Sequence, residues 1–82
     1  MLEKFINNAE EKIREALQHA NNVENGQGNK TTEILNAEYC MGQFNAYMNM
    51  IETINLDKYV EIGEKTKEIR QIVLEAINQI YG

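Results

Sequence analysis

Apolar residues recur every three or four positions along most of the chain, and this spacing predicts α-helices. The first segment, about residues 2–23, alternates its apolar stripe with charged and polar positions on the opposite side. The stripe consists of Leu2, Ile6, Ala9, Ile13, Ala16, Ala20 and Val23, widened by Phe5 and Leu17. This pattern predicts an amphipathic helix that buries one face in a core.

A polar segment interrupts the helical pattern at residues 24–30. It contains Gly26, Gly28 and several asparagines, and the pair Asn25-Gly26 is typical of a turn. The segment is therefore predicted to be a flexible loop. Asn29 or Thr31 is predicted to cap the helix that follows, because short polar side chains accept hydrogen bonds from the free N–H groups of a first turn.

The second predicted helix, about residues 31–55, is apolar on more than one side. One seam consists of Ala37, Met41, Phe44, Met48 and Ile51, and a second side adds Cys40, Tyr47, Met50 and Ile54. Between Ile34 and Leu56 the only charged residues are Glu38 and Glu52. A helix of this kind is normally covered by two or more partners, so it is predicted to be central.

The third predicted helix covers about residues 57–81, with Asp57 as its N-cap. Its apolar positions are Tyr59, Ile62, Thr66, Ile69, Val73, Ala76 and Ile80, joined by Ile72 and Ile77. No glycine or proline separates it from the second helix. We predict a break at residues 55–57 because the apolar seam would otherwise continue onto Asn55 and Lys58.

These segments predict an all-α protein with a single helical domain, residues 1–82, and three helices in an up-down-up arrangement. A chain of 82 residues builds only a thin core. Oligomerisation is a common supplement in small domains. Because residues 34–56 carry more apolar surface than two neighbours would cover, the chain is predicted to complete a helical bundle as a homodimer.

Gly42 is unusual because a glycine inside a helix costs about 1 kcal/mol relative to alanine. Helical geometry places Gly42 and Ala46 opposite Phe44, which predicts a small notch facing away from the bulky seam. We interpret the notch as a place where another helix approaches closely, either Gly63 and its neighbours or the same helix of a second subunit. The predicted interface, for helix packing or for a partner, consists of Tyr39, Met41, Gly42, Phe44, Ala46, Tyr47, Met48, Met50, Ile51 and Ile54.

Composition excludes several classes of site. One cysteine and one histidine cannot supply the roughly four ligands of a structural zinc site, and the lone Cys40 has no disulfide partner. A formal net charge of -5 argues against direct binding of nucleic acid. The residues MLEKFINNAEEK do not resemble a signal peptide, and no apolar run is long enough for a membrane span, so a cytoplasmic location is predicted.

Cys40 and His19 are the two candidate catalytic residues. A reactive thiol needs a cationic neighbour or a helix N-terminus to lower its pKa, and neither is evident near Cys40. His19 follows Glu15 by four residues, but no convergent polar groups accompany it. The favoured interpretation is a buried structural thiol and a surface histidine, with no catalytic residue, cofactor or metal.

The leading functional prediction is a small non-catalytic protein-interaction module, such as an adaptor, inhibitor or regulatory subunit. Its size, together with abundant Ile and Asn and no Ser, Pro or Trp, suggests a phage or mobile-element origin. Met41, Met48 and Met50 suggest an adaptable binding groove. The alternatives are a small enzyme using Cys40 or His19, and an acidic mimic of DNA that regulates a nucleic-acid-binding protein.

Overall fold

The structure, a computed structural model, describes the backbone of residues 1–81 and the side chains through Gln79. It contains four helices: α1 (Leu2–Glu24), α2 (Lys30–Ile54), α3 (Leu56–Lys65) and α4 (Lys67–Tyr81). The all-α prediction is confirmed, and no strand occurs in the described part of the chain. The predicted third helix is divided into α3 and α4, so the structure has four helices where the sequence predicts three. The predicted core position of Ile80 lies outside the described side chains.

Side-chain contacts fix the directions of the helices. Along α2 the contacts to α1 run backward, since Glu33 meets His19 while Tyr47 meets Phe5, and the two helices are therefore antiparallel. Contacts from α3 and α4 to α1 run forward. The chain direction thus alternates, with α2 opposite in sense to the elements on either side of it. At 1.5 Å per residue, its 25 residues cover about the full 38 Å length of the molecule.

The core lies where the apolar faces of α1, α2 and the α3–α4 pair meet. The seam predicted for α2 is buried there, with Phe44 2% exposed and Ile51 fully buried. From α1 the buried residues are Ala9, Ile13, Ala16, Ala20 and Val23, and from α3 and α4 they include Ile62, Thr66, Val73, Ala76 and Ile77. The contribution of α1 is mostly alanine, which leaves room for the large residues of α2.

Asparagine side chains define where helices begin. Asn29 accepts a hydrogen bond from the Thr32 N–H at 3.0 Å, which confirms one of the two predicted caps. Asn55 accepts one from the Lys58 N–H at 3.1 Å. The break after α2 therefore lies where it was predicted, but its cap is Asn55 rather than Asp57. Asn55 takes an extended conformation, φ -155° and ψ 97°, which ends α2 and starts α3 in a single residue.

The division at Thr66 is the main departure from the predicted fold. The Thr66 hydroxyl donates to the Ile62 carbonyl at 2.8 Å, and such bonds to the preceding turn often bend helices. The Arg70 guanidinium donates to the Gly63 carbonyl at 2.6 Å, occupying the acceptor that Lys67 N–H would use in a continuous helix. A side chain inserted into the backbone ladder is a known cause of a kink. Periodicity alone does not reveal this break, because both halves keep their apolar faces inward.

Candidate interaction surface

The side of α2 that faces away from the core carries an apolar strip, which we call the outer stripe. Its residues are Leu35, Tyr39, Gly42, Ala46 and Met50, spaced by three or four, and all five are exposed. The three large side chains are 50%, 61% and 45% exposed, and none of the five is charged. Single exposed apolar residues are common on protein surfaces, whereas several aligned on one helix face indicate a contact surface.

The structure separates the ten predicted interface residues into two groups. Met41, Phe44, Met48 and Ile51 are buried in the core of the chain itself, where they pack against its other helices. Tyr47 is half-buried, with its ring centroid 6.3 Å from that of Phe5. The remaining five residues are exposed: Tyr39, Gly42, Ala46, Met50 and Ile54. Only these five are exposed enough to form a contact surface for another protein.

The three methionines do not form the predicted groove. Met41 and Met48 point into the core and only Met50 is exposed, at 45%. Met41 and Met48 are seven residues apart, about two helical turns, and so lie on the same side of α2. Met50 follows Met48 by two residues, and helical rotation turns it away from the other two. The interpretation of these three methionines as an adaptable binding groove is therefore wrong.

The predicted notch at Gly42 is open. A methyl group placed on Gly42 would have no atom within 4 Å beyond its own turn of helix, and the same holds for Gly63. Close packing of Gly63 and its neighbours against Gly42 is therefore wrong. The other interpretation, contact with a second subunit, stays a prediction.

Cys40 lacks the surroundings of a catalytic nucleophile. Partial burial raises the pKa of its thiol, the nearby carboxylate of Glu15 raises it further, and the cation of Lys12 only partly offsets this. A thiol with a raised pKa is mostly protonated at neutral pH and reacts slowly. The side chain is partly buried and packs against the core, and the structural role of the thiol stays a prediction.

His19 joins α1 to α2 rather than pairing with Glu15. Its Nδ1 lies 2.6 Å from Oε2 of Glu33, and the Asn22 amide donates to the same oxygen at 3.2 Å. Gly28 completes the cluster, because a methyl group there would lie 3.1 Å from Glu33 Oε1 and its φ of 72° favours glycine. The antiparallel pairing of α1 and α2 could have suggested Glu33 as the partner, whereas spacing within one helix could not. The cluster is a clasp between two helices.

Acid should weaken this clasp. Hydrogen bonding from His19, and then from Asn22, holds the pKa of Glu33 below its ordinary value. A carboxylate whose folded-state pKa is lowered stabilises the protein above its unfolded pKa of about 4.3, and this stabilisation disappears as pH falls through the lowered value. We expect the unfolding free energy of the wild type to fall as the pH drops below about 5 and through the lowered pKa of Glu33. Glu33→Gln should lose less over that range, because its amide does not titrate.

Urea unfolding followed by circular dichroism at several pH values would measure this difference. Glu11→Gln is the matched control, since Glu11 is exposed on α1 and forms no ion pair with any described residue. Its pH dependence should follow that of the wild type. Identical pH profiles for the Glu33→Gln variant and the wild type would contradict the assigned clasp.

A cleft that the sequence did not suggest lies between α2 and the bend of α3 and α4. Its volume is about 390 Å³. Apolar side chains from α2 and α3 form its walls, and Lys67 and Arg70 lie at its α4 side. Sequence periodicity does not reveal it, because it lies between three helices whose mutual packing the sequence does not give.

The described residues contain neither a metal-binding cluster nor a membrane-spanning helix. They contain no group of three His, Cys, Asp or Glu side chains arranged to hold a metal ion. None of their helices is both long and apolar enough to cross a membrane.

Comparison of the chain with protein-family models, with curated proteins and with solved structures finds no match in any of the three. Its function is therefore inferred from its own residues.

Proposed function

We propose that the chain is a small non-catalytic protein-interaction module, and that the outer stripe of α2 binds a second copy of the chain. The observation that carries this proposal is the uncharged, exposed apolar strip on a molecule whose net charge is -5. Two such molecules repel each other over most of their surfaces. The outer stripe itself contains no charged residue, so two copies can meet there with few like charges in contact, Glu38 being the acid that borders it.

The order of side-chain sizes along the outer stripe supports a pairing of two identical helices. Small residues, Gly42 and Ala46, lie at its centre, while Tyr39 and Met50 lie on either side. In an antiparallel pair related by a two-fold axis at this centre, Tyr39 of each copy faces Met50 of the other. A two-fold interface uses the same patch on both subunits, and this order is self-complementary in that sense. The open notch would allow the helix axes to approach to the short end of the usual 8–10 Å range.

The same geometry gives no support to catalysis by Cys40 or His19. The thiol of Cys40 has a raised pKa, and the ring of His19 is engaged by Glu33. The proposal therefore assigns the chain no catalytic residue and no cofactor. An adaptor, inhibitor or regulatory role toward a further protein, a cytoplasmic location and a phage or mobile-element origin stay predictions from the sequence.

The mass of the protein in solution tests the proposal. Light scattering after gel filtration should give about twice 9.5 kDa for the wild type at high concentration. Met50→Glu should move the mass toward the monomer value, because it places a carboxylate on the outer stripe of each copy. Leu74→Glu is the matched control, since Leu74 is exposed to the same 45% on α4 and should leave the mass unchanged.

A wild-type mass of 9.5 kDa at every concentration would overturn the proposed dimer. Equal dissociation by Met50→Glu and Leu74→Glu would also count against it, because the contact would then not be specific to the outer stripe. Circular dichroism should show that both variants remain helical, since both positions are exposed.

A further inference from the structure

We propose that the cleft between α2, α3 and α4 binds a carboxylate attached to an apolar group. Its volume of about 390 Å³ lies within the range of small-molecule sites, about 300–1,000 Å³. Such sites combine mostly apolar walls with a few fixed polar groups that orient the ligand. This cleft combines apolar side chains on α2 and α3 with charged groups, two of them on α4.

The apolar part of the cleft is built by α2 and α3. Phe44 and Met48 are almost fully buried and form its floor, while Tyr59 is half-buried and Val60 is 52% exposed. Burial of a ligand's apolar body against these side chains would contribute roughly 25 cal/mol per Å² of apolar area removed from water. The walls therefore favour an aromatic or branched aliphatic group.

The polar part of the cleft is the guanidinium of Arg70, which two hydrogen bonds at the kink hold in place. Arg70 donates through Nη2 to the Gly63 carbonyl at 2.6 Å and through Nε to Thr66 Oγ1 at 3.3 Å. These bonds leave further N–H donors on a planar group that suits carboxylates. Because its position is already fixed, little rotational freedom is lost when a ligand binds.

The charge of Arg70 has no carboxylate partner among the residues that the structure describes. Among the described residues, neither Arg70 nor Lys67 forms an ion pair with a carboxylate. Glu64 also lines the cleft, so its charged groups are two cations and one acid. In a protein of net charge -5, this is a local excess of positive charge beside an apolar floor. Charge complementarity therefore selects an anionic ligand with an apolar body.

The proposed site is independent of the proposed dimer. No residue of the outer stripe lines the cleft, so ligand binding and dimerisation use different surfaces. Failure of the dimer test would leave this proposal standing. Met50→Glu should likewise bind the ligand as the wild type does.

Titration with N-acetylphenylalanine, followed by amide chemical shifts of the ¹⁵N-labelled protein, tests the site. This probe has an aromatic body and a carboxylate, and a small ligand of its size should bind with a dissociation constant on the order of 1 mM. The amides of Val60 and Gly63 should shift most. N-acetylphenylalanine amide, which lacks the charge, should bind about tenfold more weakly. Equal binding of acid and amide, or no shift of these amides at about 10 mM acid, would overturn the proposal.

Variants of the two cations locate the site without relying on one substitution. Arg70→Met removes the guanidinium, although it also releases the Gly63 carbonyl and could alter the kink. Lys67 is exposed, and Lys67→Glu places an acid in the first turn of α4, where the helix dipole favours a negative charge. Each should weaken acid binding about tenfold. Lys30→Glu makes the same charge change in the first turn of α2, fourteen residues and about 21 Å along that helix from Phe44, and should alter the affinity less than twofold because salt screens a charge at that distance. Equal losses for Lys67→Glu and Lys30→Glu would contradict a specific site.

A second probe distinguishes a free small acid from the end of a peptide chain. 4-Phenylbutyrate has the aromatic body and the carboxylate but no peptide bond. Binding as tight as that of N-acetylphenylalanine would identify free apolar acids as the ligand class. Markedly weaker binding would identify a C-terminal carboxylate preceded by an apolar side chain. Both outcomes keep the apolar carboxylate as the recognised chemistry.

Discussion

Phe44→Ala is expected to remove a large part of the stability of this protein. Phe44 is 2% exposed, lies near the middle of α2 and belongs to the core that joins all the helices. Replacing a buried phenylalanine by alanine costs about 3–5 kcal/mol, from lost apolar burial and from the cavity that remains. Domains are stable by only about 0.05–0.15 kcal/mol per residue. For a chain of this length, the loss is comparable in size with the total free energy of unfolding. Urea unfolding followed by circular dichroism would show a much lower midpoint or no folded baseline.

A pair of isoleucines gives the control for this prediction. Ile51 on α2 is fully buried, whereas Ile72 on α4 is 44% exposed. Ile51→Ala should cost about 2–5 kcal/mol. Ile72→Ala deletes the same atoms at the surface and should cost well under half as much. Equal losses for the two would contradict the assigned core, since burial would then not decide the cost of the deletion. Neither position belongs to the outer stripe, so dimerisation does not enter the comparison.

The helical core was predictable because burial follows periodicity. The positions of Met41, Phe44 and Met48 repeat at three and four residues, and a helix with that repeat must place them on one side. Met50 and Ile54 were assigned to a second covered side of α2, yet both are exposed. The neighbouring helices do not cover α2 all the way round, so part of its apolar surface stays exposed. The sequence alone does not give the angle at which those neighbours pack, and so it does not show which part that is.

The kink and the clasp were not predicted, because each depends on contacts across turns or between helices rather than on spacing within one helix. At Thr66 the local pattern is compatible with a continuous helix, and the break depends on where the Arg70 guanidinium lies. The partner of His19 is Glu33, fourteen residues away, and it is reached only after the loop has folded. The cleft lies between α2, α3 and α4 and depends on how these helices pack. Sequence reasoning therefore identified the core face of α2 but not the cleft beside it.

Ala16→Leu is expected to destabilise the protein although it adds apolar volume. Ala9, Ala16 and Ala20 are all fully buried on the inner face of α1, and the residues that α2 directs into the same core are large. Small residues on one helix and large ones on the other let two helices pack at a short distance without voids. Three additional carbons at Ala16 would have to push the helices apart or force strained side-chain rotamers.

Overpacking of this kind typically costs about 1–3 kcal/mol. Gln18→Leu, at an exposed position of the same helix, is the matched control and should change stability by less than about 0.5 kcal/mol. Leucine favours helices as well as glutamine does, so the difference between the variants reports packing rather than helix propensity. Denaturant unfolding of the two proteins measures it. If Ala16→Leu were as stable as Gln18→Leu, the space beside Ala16 would have to be open, and α1 and α2 could not be packed as closely as the fully buried alanines require.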